Sequence, residues 1–247
     1  MKLAIVIPTY NEAETISSLI KELFEKVKQL VEKLDILIVD DSSPDGTADI
    51  ARELGVKYEK ITVIQRPKKM GLGAAYKEGF RHVLEKLDSE LIIQMDADHS
   101  HQPGEIPNML EKIKNYDFLI ASRHMEGSDI IGWGIGRKAT HSVAGAIARV
   151  CAKINVKDST SGFRMFKKNT LEKINFDNIR SDGFAFQIEV LYQLKQLGMK
   201  GLEIPTIFVN RTEGSSKMGS SEMMQFITMC ISSVSYTHLT LPTICSV

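Results

Sequence analysis

Four short, β-branched apolar runs, Leu3–Ile7, Ile36–Val39, Ile61–Ile64 and Leu91–Met95, recur along the first half of the chain, and a fifth, Phe118–Ala121, follows them. Runs this short, with almost no polar break, suit strands covered on both faces, as in a mainly parallel sheet. Helical patterns lie between them. Glu14–Leu34 sets Ile16, Leu19, Ile20, Leu23, Phe24, Val27 and Leu30 on one stripe with charges opposite. Thr47–Leu54, Gly73–Leu87 and Glu105–Ile113 fill the remaining crossovers. The alternation over residues 1–122 predicts an α/β fold, a mainly parallel central sheet with helices on both faces. In such sheets ligands bind outside the carboxyl ends of the strands.

The second half has a different texture. Residues 123–136 are rich in glycine, carry Trp133 and show no strong period, which fits a mobile functional loop or a long connector. Arg137–Lys153 reads as a small-residue helix, Ala185–Leu197 as an amphipathic helix and Leu202–Val209 as a further strand. No internal repeat or linker divides the chain, so residues 1–234 are expected to form one domain. Residues 235–247 join poorly to the apolar helix Met223–Val234 and read as a tail foreign to that domain.

Composition narrows the function classes. At 247 residues, 43% apolar and 25% charged, the chain can bury a substantial core and has an ordinary globular balance. Lys plus Arg equals Asp plus Glu at 31 each, so no whole-molecule field draws it to nucleic acid or to an anionic membrane, and any anion site must be local. Cys151, Cys230 and Cys245 are odd in number, far apart and without metal-ligand spacing, which suits reduced thiols in the cytoplasm. The N-terminal apolar run is too short for a secretory signal. No stretch approaches the roughly 20 apolar residues that span a bilayer.

The chemistry begins where the fourth run ends, in Asp96-Ala97-Asp98. Two carboxylates this close repel, and a hard divalent cation with oxygen ligands removes the repulsion. Mg²⁺ or Mn²⁺ fits; zinc does not, because softer ligands are absent nearby. Such a cation bridges nucleotide phosphates and stabilises charge on a leaving diphosphate. The alternative for this pair is capping of a turn and the next helix. A second acidic cluster, Asp40-Asp41-Ser42-Ser43-Pro44-Asp45-Gly46-Thr47, follows the second run and puts more carboxylates at the same sheet edge. Asp40 and Asp41 suit recognition of a ribose or base, whereas Asp45 suits a turn and helix start. In Pro8-Thr9-Tyr10-Asn11-Glu12, Tyr10 can stack on a base and Glu12 can bond its edge or sugar, with Asn11 as a helix cap the alternative. Gly71-Leu72-Gly73 follows the third strand and lacks the third glycine of a dinucleotide loop, so it reads as a flexible turn.

These segments, together with Ser100-His101, Ser159-Thr160-Ser161-Gly162-Phe163-Arg164, Gly183-Phe184-Ala185-Phe186-Gln187-Ile188-Glu189, Arg211 and Ser216-Lys217, resemble family 2 glycosyltransferases of the GT-A fold. The closer resemblance is to dolichyl-phosphate mannosyltransferases and related polyprenyl-phosphate sugar transferases, and it covers the chain to about Val234. It implies a nucleotide-sugar donor touching Pro8, Tyr10, Glu12, Val39, Asp41, Ala97 and Asp98, and a metal, Mg²⁺ or Mn²⁺, at Asp96, Asp98 and the position of Ser100. His99 stands where the family usually has an apolar residue and reads as a local variation. The resemblance further implies that Arg123 and Arg137 hold an acceptor phosphate while Arg211 and Lys217 close over the donor diphosphate.

Cations at those places make physical sense, because an anionic acceptor must approach an anionic donor. A phosphate monoester is largely ionised at neutral pH and needs no strong general base; a hydroxyl acceptor does. Glu189 would be the base to test for a hydroxyl. The implied reaction is inverting transfer of a hexose, mannose from GDP-mannose foremost, to a polyprenyl or dolichyl phosphate. A UDP-sugar donor, a saccharide hydroxyl acceptor and a catalytically silent nucleotide-binding module are the alternatives. A lipid acceptor implies a peripheral position at the cytoplasmic face of a membrane. Contact there would come through the apolar residues of helix 137–153 or of Met223–Ile231, a partner subunit or a missing C-terminal segment, with core packing the alternative for both helices.

Overall fold

The computed structural model describes residues 1–132 and 156–209. Among them, seven strands form one sheet: β1 (Lys2–Thr9), β2 (Lys33–Asp40), β3 (Ile61–Gln65), β4 (Leu91–Gln94), β5 (Phe118–Ser122), β7 (Arg164–Lys167) and β8 (Gly201–Pro205), in the order β3-β2-β1-β4-β7-β5-β8. A two-stranded parallel sheet pairs β6 (Asp129–Ile131) with β9 (Ile207–Val209). In the large sheet β7 alone runs antiparallel to its two neighbours, β4 and β5. The predicted α/β architecture, mainly parallel with helices on both faces, is the one observed.

The two faces follow from the period of two. Along β1, Leu3, Ile5 and Ile7 pack with Ile16, Leu19, Ile20 and Leu23 of α1 (Ala13–Val27) and with Ile106 and Met109 of α4 (Ile106–Lys112). The intervening Ala4 and Val6 face Ala75, Tyr76, Phe80 and Val83 of α3 (Leu72–Lys86) and the apolar residues of α6 (Gly183–Gln196). The short α2 (Thr47–Tyr58) joins β2 to β3, and α5 (Lys168–Leu171) follows β7. Each large side chain fully buried in these layers contributes roughly 1.5–3 kcal/mol.

Three elements depart from the sequence reading. The first helix stops at Val27 and passes through a 3₁₀ turn at Lys28–Leu30; Leu30, counted in the apolar stripe, is 49% exposed. The reason is register: Lys33 must already pair with Lys2, so the chain extends before the stripe ends. The strand read as Leu202–Val209 is two strands in two sheets, parted at Thr206, whose hydroxyl donates to Glu105 (2.5 Å). The glycine-rich stretch read as a loop contains β6. The predicted helices at Arg137–Lys153 and Met223–Val234, the three cysteines, the tail at 235–247 and all of the one-domain span beyond residue 209 lie outside the described residues.

Candidate active site

All the predicted acidic segments reach one edge of the sheet. Because β1, β2 and β4 are parallel, their carboxyl ends deliver Tyr10, Asp41 and Asp96 to the same side. β5 runs the same way and delivers Arg123, and the antiparallel β7 starts there, bringing Ser159–Phe163 alongside.

The first two loops are stitched together by backbone amides. Asn11 N–H donates to Ser43 Oγ, Glu12 N–H to Thr47 Oγ1 and Ala13 N–H to Asp45 Oδ2, each at 3.0 Å. Asp45 also accepts from Thr47 N–H (3.1 Å) and Oγ1 (2.6 Å), so it starts α2 and caps α1 at once. Although burial pushes its pKa up, these hydrogen bonds hold it below the usual carboxylate range. Asn11 is exposed in the left-handed region (φ 59°) rather than capping α1 with its side chain.

Asp40 departs from its expected role. It is fully buried and accepts from Thr9 Oγ1 (2.9 Å), Ser43 N–H (2.9 Å) and Ser43 Oγ (2.5 Å), which makes it a structural carboxylate. Asp41 is 5% exposed, accepts from the Met70 and Gly71 N–H groups (3.0 Å each) and pairs with the buried Arg66 guanidinium at 2.9 Å. The Gly71 turn is thereby fixed rather than flexible. Asp182 clamps it from above by accepting from Gly73 N–H at 2.5 Å. Val39 and Ala97, both expected to touch a nucleotide, are buried at 0% and 2% exposure. Pro8 and Glu12 are half-buried, and the Tyr10 ring carries the Lys69 ammonium 3.8 Å from its centroid.

Asp96 opens to solvent at 31% side-chain exposure. Its Oδ1 accepts from the Tyr76 hydroxyl at 3.1 Å, and its amide donates to His101 Nδ1 at 2.9 Å. Gly162 lies beside this carboxylate: a Cβ there would stand 3.3 Å from the His101 ring and 3.6 Å from both Asp96 oxygens. Asp98 Oδ1 accepts from Ser100 N–H (3.0 Å) and Ser100 Oγ (2.6 Å). Ser100, expected as a third metal contact, is 2% exposed and turns its hydroxyl onto Asp98. Burial, then the Asp96 charge, pushes the Tyr76 phenol well above its ordinary pKa, so it is a neutral donor. Softer nitrogen ligands stand closer than the sequence reading allowed. Both imidazoles are engaged, however: His101 Nδ1 takes the Asp96 amide, and His99 Nε2 lies 2.7 Å from Ser18 Oγ on α1.

Among the described residues no group of three or more His, Cys, Asp or Glu side chains is arranged to hold a metal. Two carboxylates at an open edge nonetheless fit Mg²⁺ or Mn²⁺, which bind through one or two carboxylates and leave the remaining positions to phosphates and water.

The family described as "Glycosyl transferase family 2" matches residues 4–175, a span that holds the loops carrying Tyr10, Asp41, Asp96 and Asp98. The chain belongs to this family. It is 37% identical to an undecaprenyl-phosphate mannosyltransferase of Micrococcus luteus over 218 residues, 88% of each chain. It is 34% identical to a polyprenol monophosphomannose synthase of Mycolicibacterium smegmatis, over 90% of this chain and 82% of that one. Two solved structures share the family fold. Mannosyl-3-phosphoglycerate synthase from Rubrobacter xylanophilus aligns at TM-score 0.68 and 17% identity, covering 100% of this chain and 78% of that one. Glucosyl-3-phosphoglycerate synthase from Mycobacterium tuberculosis, solved with Mn²⁺, UDP-glucose and phosphoglyceric acid, aligns at TM-score 0.67 and 18% identity, covering 95% and 80%.

Within this family member, Arg123 does not stand as a bare surface cation. It is 9% exposed, makes a bidentate pair with Asp158, donates from Nη2 to Thr160 Oγ1 (3.0 Å) and lies over the Phe208 ring at 5.3 Å. Phe208 in turn meets the His101 ring edge-on at 6.2 Å, which ties Arg123 to the Asp96 side of the edge. Burial would push the Asp158 carboxyl up, but the Arg123 charge and hydrogen bonds more than offset this and hold it well below the usual range. Arg164, fully buried, donates to the carbonyls of Ser159, Ser161 and Gln187 and shapes the loop beside Asp96; burial brings its pKa down to about 9. Neither Asp158 nor Tyr76 was singled out from sequence; only the position of Asp158 just before the Ser159–Arg164 motif pointed to it. Arg137, Arg211 and Lys217 lie outside the described residues.

Proposed function

We propose that the protein transfers mannose from a nucleotide-bound donor to a polyprenyl phosphate in a single inverting displacement. The observation that carries this reading is the 37% identity, over 88% of both chains, to an undecaprenyl-phosphate mannosyltransferase. The geometry agrees with it. Glu189, the candidate base for a hydroxyl acceptor, accepts from the Arg180 and Ser181 N–H groups at 3.0 Å each and is committed to holding that turn. An ionised phosphate acceptor needs no such base.

In this reading Asp96 and Asp98 hold Mg²⁺ or Mn²⁺, with Ser100 as their neighbouring polar partner. The cation, when bound, offsets charge on the leaving diphosphate. Pro8, Tyr10, Glu12 and Asp41 stand at the nucleotide, with the buried Val39 and Ala97 behind them. Arg123 and Arg137 receive the acceptor phosphate, and Arg211 and Lys217 close over the donor. The two relatives named for mannose support mannose as the sugar, and GDP-mannose is the donor proposed with it. No helix among the described residues is long and apolar enough to cross a membrane. In this reading a lipid acceptor would bring the protein to a membrane surface, peripherally at the cytoplasmic face, docked directly, through a partner subunit or through a C-terminal segment.

The deciding experiment offers GDP- and UDP-sugars with a short polyprenyl phosphate and, separately, with saccharide acceptors, in Mg²⁺ or Mn²⁺, and reads products by mass and anomeric configuration. Mannosyl phosphate with inverted configuration is expected. Transfer only to a saccharide hydroxyl, or retained configuration, overturns the reading.

A further inference from the structure

We infer that Tyr76 is a positioning residue for the Asp96 carboxylate, a role that rests on the metal reading above. Tyr76 lies on α3, has no exposed surface and presents its hydroxyl to Asp96 Oδ1 at 3.1 Å. Its ring cannot swing. It stacks on Phe80 (centroids 5.7 Å, 21° between planes) and on Phe186 of α6 (6.0 Å, 8°). A buried tyrosine normally finds a partner for its hydroxyl, and here the partner is the carboxylate at the ligand edge.

The other sides of Asp96 are defined as well. Its amide donates to His101 Nδ1, which leaves the ring proton of the neutral imidazole on Nε2, 3.9 Å from Asp96 Oδ2. The imidazole is itself stacked on Phe163 at 5.1 Å. Gly162 lies beside the carboxylate and sets no side chain against it. The Tyr76 hydrogen bond, at 3.1 Å, thus biases the carboxylate toward one orientation before any ligand arrives.

The choice of donor is the informative part. A lysine or arginine on Oδ1 would neutralise Asp96 and compete with a cation, whereas a phenol orients the carboxylate and leaves its negative charge in place. The nearby buried cation, Arg164, donates to three backbone carbonyls instead of to Asp96. Partners that orient a metal ligand in this way are worth roughly 10–100-fold in metal affinity.

The test is direct Mn²⁺ binding to the full chain, read by loss of the free-ion electron paramagnetic resonance signal, for the wild type and for Tyr76→Phe, Asp96→Asn and Phe80→Leu. Tyr76→Phe keeps the ring and removes only the hydroxyl. It is expected to weaken Mn²⁺ about 10-fold with little change in Tm. In turnover it should raise the Mn²⁺ needed for half-maximal rate, with kcat restored at saturating Mn²⁺. Phe80→Leu, which loosens the same stack without touching Asp96, should lower Tm and leave Mn²⁺ affinity within about twofold of wild type, as expected of a packing change alone. If Tyr76→Phe binds Mn²⁺ as the wild type does while Asp96→Asn fails to, the role of Tyr76 is refuted and the metal site stands. If Asp96→Asn also binds normally, the metal reading falls and this inference with it. A loss in Tyr76→Phe matched by an equal loss in Phe80→Leu assigns the effect to packing and likewise refutes it.

Discussion

Arg123 and Asp158 form a buried bidentate ion pair, Nε to Oδ2 and Nη2 to Oδ1, both at 2.7 Å, and Asp158 Oδ2 also accepts the Arg123 backbone N–H at 2.9 Å. The pair locks the end of β5 to the loop that precedes β7. It therefore fixes where the guanidinium points and brings the 158–162 loop against the site.

Removing one partner of such a pair strands a buried charge. Asp158→Ala is expected to cost about 3–5 kcal/mol of stability, against far less for an exposed pair such as Arg52–Asp49. Urea unfolding of the two variants checks this. If Arg123 receives the acceptor phosphate as proposed, unmooring it in Asp158→Asn should raise acceptor KM while donor KM changes little.

The same carboxylate gives a signed dependence on pH. Its folded pKa lies far below the ordinary value of about 3.9, so the folded state binds fewer protons than the unfolded one. Its contribution is fully present above about pH 5 and declines as pH falls through the carboxylate range toward the folded value. The stability difference between wild type and Asp158→Asn, followed by urea unfolding from neutral pH into acid, should accordingly shrink. A gap that stays constant would contradict the assignment.

Asp98→Ala should abolish metal-dependent turnover. On the proposed metal reading, losing one of the two carboxylates would forfeit several kcal/mol of charge stabilisation, on the order of 100–1,000-fold in kcat. Initial rates across a Mn²⁺ titration read this directly; unchanged turnover would remove Asp98 from the site.

Gly71 adopts φ +96° and ψ 163°, a region essentially reserved for glycine, and a Cβ there would lie 1.6 Å from Asp182 Oδ2. Gly71→Ala is expected to lose about 1–3 kcal/mol from the backbone alone. The displaced Asp182 should release the Gly73 amide and loosen the turn held on Asp41. A raised donor KM with a smaller change in acceptor KM is the kinetic sign.

Glu189→Gln separates the two acceptor classes. If Glu189 serves only the Arg180–Ser181 turn, the amide keeps an acceptor oxygen, and both kcat and the pH–rate profile for polyprenyl phosphate remain near wild type. A base acting on a hydroxyl acceptor would instead show a rate loss of roughly 100-fold or more and the disappearance of the acid limb.

The α/β class, the five parallel strands from β1 to β5 apart from their ends, and the aspartates at their carboxyl ends were legible in the chain. Each rests on a local period or on a motif of adjacent residues, and a parallel sheet with crossover helices sends every such strand end to one side. The four-residue β7 was not legible, because Arg164–Lys167 is too short to show a period and its place between β4 and β5 is set by pairing with Leu91–Gln94 and Phe118–Ile120. The partners of individual carboxylates come from far along the chain: Ala13 for Asp45, Gly71 for Asp41, Arg123 for Asp158 and Tyr76 for Asp96. An acidic residue at a sheet edge looks the same in sequence whether it awaits a ligand or already holds an amide. Burial and the donors that surround it make the difference, and those exist only once the strands have closed into one sheet.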